Sequence, residues 1–148
     1  VAFAGRAYEQ AQYQLASRFY VQALEEKPEL AANRVRQHAY NAACCAALAA
    51  SPKEVDESAD AKLECVKLRE QAHSWLNAEL EQWALILESA DDQQRQSIKV
   101  TLTHWKKDAD LSSIRDAESL SALPESERLQ WTKLWVQVDE LLAKATKP

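Results

Sequence analysis

Cys44 and Cys45, with Cys65 further on, and His38, His73 and His104 are the thiols and imidazoles of this 148-residue chain. Any metal or nucleophilic chemistry would start from them. A structural zinc needs four converging ligands, with thiols at a spacing such as Cys-x-x-Cys. Adjacent helical residues point about 100° apart, so Cys44 and Cys45 do not converge on one ion. Three is also an odd count, and two of the cysteines adjoin within a helical stretch, so the expected state is reduced, buried thiols without a disulfide framework. His73 lies beside an apolar stripe and His104 precedes Trp105, which suits surface or boundary positions better than general bases. The carboxylates sit in solvated runs with no acid–base pair among them. The expectation is therefore no enzyme, no metal and no cofactor.

One set of polar residues remains. Arg34, Gln37, His38, Asn41 and Cys44 fall on one face if the chain is helical from about Ala31 to Ala50. Such a face is either a recognition surface or simply the solvated side of the helix. The element that must carry it is unusual. Tyr40 to Ala50 reads Tyr-Asn-Ala-Ala-Cys-Cys-Ala-Ala-Leu-Ala-Ala, a helix with little side-chain area on any side. It makes sense in the middle of a stack, where neighbouring backbones approach closely.

The rest of the composition points to helices throughout. One glycine and four prolines leave few backbone breaks, and no run has the alternation of a strand. Residues 51–90 carry nine acids against four bases, which is the whole of the net charge of −5. With the remainder balanced and no basic stripe, nucleic acid is not an expected partner. No apolar run approaches the roughly 18 residues of a membrane span, and there is no secretory signal, so a cytoplasmic setting is expected. A start within a helical pattern and the lack of any methionine suggest a piece of a longer protein.

Phe3, Ala7, Tyr13, Ala16, Tyr20, Ala23 and Leu24 follow a helical period that slips between Glu9 and Gln12. Either two helices joined by a tight turn or one bent helix fits. Pro28 ends this segment, and Ser51-Pro52 ends the next. An acidic insertion over 51–60 reads as an exposed loop. Residues 61–88 form the longest pattern, with Leu63, Val66, Ala72, Trp75, Leu76, Leu80, Trp83 and Leu87 inward. Asp91-Asp92 starts a helix with Ile98, Leu102 and Trp105 inward that ends at Lys106-Lys107. Leu111 and Ile114 pin a turn, Asp116 is placed to cap another, and Pro124 opens a last helix carrying Trp131, Leu134, Trp135, Val138, Leu141 and Leu142.

Phe3-Ala4, then Tyr13, Ala16, Tyr20, Ala23 and Pro28, resemble a tetratricopeptide repeat, a 34-residue helix-turn-helix unit with small residues where its helices cross. The resemblance implies an all-α, antiparallel helical array, an α-α superhelix closed by Trp-rich C-terminal helices. Residues 1–30 would be one repeat-like helix pair, 31–90 a second, divergent repeat with the acidic insertion, and 91–148 the capping helices of a single domain. In the second repeat Ala39, Ala42 and Ala46 replace the usual Trp, Leu and Tyr. Ala43 stands at the crossing and Asn41 where such repeats face a concave groove. Asn41 would then hydrogen-bond an extended peptide, with Arg34 drawing acidic side chains.

Over nearly the whole chain, Arg-Phe-Tyr at 18–20, Tyr-Asn-Ala-Ala-Cys at 40–44, Trp75-Leu76, Trp83 and Asp110-Leu111 resemble the repeat regions that follow the kinase domain in large bacterial serine/threonine protein kinases. The chain itself has no kinase signature. The resemblance implies a non-catalytic protein–protein interaction or scaffolding module that regulates a larger signalling protein and takes a protein or peptide partner. The alternatives are a structural cap that closes a longer solenoid, and, from another class, a small helical enzyme or metal protein using the Cys and His residues.

Overall fold

A computed structural model describes residues 1–33, 36–51 and 58–147. Among these the chain is all-helical, and no strand occurs. The α-helices are α1 (Ala2–Glu9), α2 (Tyr13–Glu26), α3 (His38–Ala49), α4 (Ala59–Leu87), α5 (Asp92–Trp105), α6 (Ala117–Ser121) and α7 (Glu125–Thr146). Two 3-10 turns, Pro28–Leu30 and Ala109–Ile114, complete the regular structure. No helix is long and apolar enough to cross a membrane among the described residues.

The chain divides into two compact units, Val1–Leu76 and Asn77–Pro148. The division falls inside α4, upstream of the 90/91 boundary expected between the second repeat and the capping helices. The acidic insertion falls largely outside the described residues. Ser58 closes it by capping α4, its Oγ accepting from Ala61 N at 3.2 Å.

In the first unit α1 packs on α2 and α2 on α3. Val1 to Lys27 is two helices, and the turn between them is a Schellman motif. Gln12 N donates to Ala7 O at 2.8 Å and Ala11 N to Tyr8 O at 2.9 Å. Its left-handed position holds an alanine, Ala11, with φ of 56°, so no glycine marks the turn. The core beneath is small: Ala4, Ala7, Ala16, Tyr20, Leu24, Ala42 and Cys45, with Trp75 packed against it. Phe3, expected inward, is 69% exposed, its ring 6.0 Å from that of Phe19. Ala4, which the alanine spacing also marked, is fully buried. On α4, Leu63 is likewise 55% exposed, and Cys65 is buried two residues on.

The second unit is built from bulk. Trp105, Leu111, Ile114, Trp131, Leu134 and Val138 are almost wholly buried, and α5 packs on α7. Asp91 and Gln94 form a reciprocal capping box at the start of α5. Lys106, just past the end of α5, pairs with Asp139 on α7. Arg115 fastens the following turn, its Nη1 donating to Trp105 O at 3.2 Å and Asp108 O at 2.5 Å. Trp135 Nε1 donates to Ile114 O at 2.7 Å. Asp116 precedes α6, but its side chain makes no cap bond. Arg115 Nε takes that carboxylate at 3.0 Å instead, since a charged donor next door outcompetes a backbone N–H.

Candidate functional site

The five residues expected to share a helical face belong to α3 and its approach. Helix α3 starts at His38, not near Ala31, and the reason is local. Asn33 Oδ1 accepts from Arg36 N at 3.1 Å, and Asn33 O accepts from Gln37 N at 3.0 Å. Gln37 then takes a left-handed conformation, φ 50° and ψ 40°, immediately before the helix. Gln37 is therefore a half-buried turn residue. Arg34 lies outside the described residues.

His38, Asn41 and Cys44 do sit on α3, at the expected spacing, but they are not equally accessible. His38 and Cys44 are buried. Asn41 is exposed, and it is the one exposed residue of α3. The structure thus brings Gln37, His38 and Asn41 to one end of the helix and leaves Asn41 as its solvent-facing group.

Asn41 is also the most connected polar group here. Its side chain hydrogen-bonds the hydroxyl of Tyr20 on α2, and its Nδ2 reaches Arg36 O at 3.5 Å. Tyr20 is buried. Burial, and then the Cys45 thiol beside it, push its hydroxyl above the ordinary 10.0, with the Asn41 bond opposing. Tyr20 matches a repeat position by its spacing, and its tie to Asn41 has no signal there.

His38 has the opposite character. Its Nδ1 is buried with no hydrogen-bond partner among the described residues, as is Ser17 Oγ on α2. Burial, then the Arg36 charge, hold the imidazole below its ordinary 6.5. It is neutral at pH 7. All three cysteines are buried, and none is in a disulfide among the described residues. His73 is half-buried, and His104 is exposed with Nε2 3.1 Å from Asp108 Oδ2.

Open grooves lie elsewhere on both units, two of them away from α5. The first runs beside the α1–α2 turn, lined by Ala11, Gln12, Tyr13, Leu15, Arg18 and Ala49. Arg18 is the one side chain there charged at neutral pH, so the groove has no acid–base pair to offer. The second lies between α4 and α7, where Leu80 and Leu141 form the floor and Glu81, Glu140 and Lys144 the rim. Glu81 accepts from Asn77 Nδ2 at 2.7 Å, and all three rim charges are exposed. Both are surface features of helical packing. Compared with protein-family models, with curated proteins and with solved structures, the chain finds no match.

Proposed function

We propose that this chain is a non-catalytic helical interaction module of tetratricopeptide type, scaffolding or regulatory within a larger signalling protein such as a kinase. The observation that carries the reading is the isolation of Asn41. On a helix buried nearly all round, one amide stands in solvent at the position where such repeats meet a peptide. Buried alanines on α1, α2 and α3 (Ala4, Ala16 and Ala42) support the repeat geometry. The test is panning of the purified chain against a random peptide display library, with affinities measured by calorimetry. A selected peptide should bind at least about tenfold more weakly to Asn41→Ala, the loss of a hydrogen bond to a polar partner, and Arg34→Ala should weaken acidic peptides in particular.

A second reading, a structural cap of a helical solenoid, is favoured by a different observation. Asn41 already bonds Tyr20 and reaches the Arg36 carbonyl, which gives it a purely internal use. No selected peptide, or one indifferent to Asn41→Ala in a folded protein, would favour the cap.

A further inference from the structure

Helix α7 carries apolar side chains on two sides. Trp131, Leu134, Val138, Leu141 and Ala145 are buried and form its inward stripe. Leu129, Val136 and Ala143 recur at heptad spacing, about two helical turns apart. At about 100° per residue they fall on the side opposite that stripe. Leu129 is 61% exposed and Val136 50%, and Ala143 is exposed as well. An exposed leucine on its own needs no explanation. A row at the spacing by which helices pair does.

The charges beside this row suit pairing with a second α7. Lys133 and Glu140 lie on one flank, about 60° and 40° round the helix from Val136. Both are exposed, and neither forms an ion pair among the described residues. The other flank carries Thr132 and Asp139, and Asp139 is already paired with Lys106. A two-fold axis at Val136 that turns a second α7 end for end lays each flank against its own copy in reverse order. Leu129 then faces Ala143 of the other copy, a large side chain against a small one. Lys133, on one side of the axis, comes level with Glu140 of the other copy to within about one residue rise, 1.5 Å. That pair forms twice, and no like charges meet across the row. A parallel pairing has the opposite result. It lays the Lys133–Glu140 flank against Thr132 and Asp139, setting acid beside acid at Glu140.

We propose that the row Leu129, Val136 and Ala143 is the seam of an antiparallel homodimer of this chain, its register fixed by reciprocal Lys133–Glu140 ion pairs. One helix face is a small interface, so the dimer is weak and concentration-dependent. The seam belongs to the second unit and its occupant is another copy of the chain, so it is independent of whether Asn41 on the first unit meets a peptide.

The experiment is sedimentation equilibrium of the whole chain in low salt, from about 5 to about 300 µM, a range that brackets a weak dimer. The wild-type chain should pass from monomer to dimer. Lys133→Glu, which places like charges opposite each other twice, should weaken association at least about tenfold, and Glu140→Lys should do the same. The double variant Lys133→Glu, Glu140→Lys restores opposite charges and should return to within about threefold of wild type. A wild-type chain that stays monomeric, a dimer indifferent to Lys133→Glu, or a double variant as weak as the single ones would overturn the seam. If a reversal fails to fold, by circular dichroism, Leu129→Cys and Ala143→Cys chains treated with a short bis-maleimide decide. A mixture that crosslinks more than either chain alone supports the antiparallel seam, and a mixture with no such excess overturns it.

Discussion

The two units solve the same problem, burying helical surface, by opposite means. In the first, Ala4, Ala16 and Ala42 let backbones approach closely. Small residues set the helix crossings, and two of the helix boundaries are made by left-handed backbone, at Ala11 and Gln37. In the second, Trp105, Trp131 and the surrounding Leu and Ile fill the interior, and side chains finish the ends: Asp91, Gln94, Arg115 and Trp135. One unit is vulnerable to added volume, the other to lost volume and lost hydrogen bonds.

That contrast can be broken from either side. Trp131→Ala, at a side chain 2% exposed, should destabilise the second unit by about 3–5 kcal/mol. Tryptophan fluorescence during urea unfolding is the readout, since four of the five tryptophans follow Leu76. In the first unit the damaging change is an addition. Ala42→Leu, at a fully buried position, should cost about 1–3 kcal/mol, with lost exchange protection in α2 and α3. The same change at Ala143, exposed on α7, should stay within about 0.5 kcal/mol.

Helix ends sharpen the comparison at smaller magnitudes. Arg115→Met should cost about 1–3 kcal/mol, because the Trp105 and Asp108 carbonyls lose their charged donor. Ala11→Gly should act in the other direction, stabilising by about 1 kcal/mol as the left-handed strain is relieved. Urea midpoints at constant m-value measure both. A destabilising Ala11→Gly would mean that the turn is held by something other than its backbone.

The same difference explains what could be read from the chain. The start of α5 was legible at Asp91, and the pins of the following turn at Leu111 and Ile114, because in the second unit side-chain chemistry marks the boundaries. The start of α3 was not. Residues 31–37 have acceptable helix propensity, and it is the left-handed Gln37 that sets the helix start at His38. The α1–α2 break was visible as a slip in period, but without a glycine the two-helix answer stayed open. The candidate face was legible as a spacing. Its burial was not, since His38 and Cys44 face inward for reasons of packing that a period cannot express.

Helix α3 has a further consequence. Six of the twelve residues of α3 are alanine, which has no rotamers to lose, so ordering this helix costs less side-chain entropy than ordering a bulkier one. It also removes little apolar surface from water, so its attachment relies on short-range dispersion at close contact more than on hydration. Heat-capacity changes scale with exposed apolar area. Local opening of α3 should therefore carry a small one, and its stability should vary more gently with temperature than that of the tryptophan-filled unit.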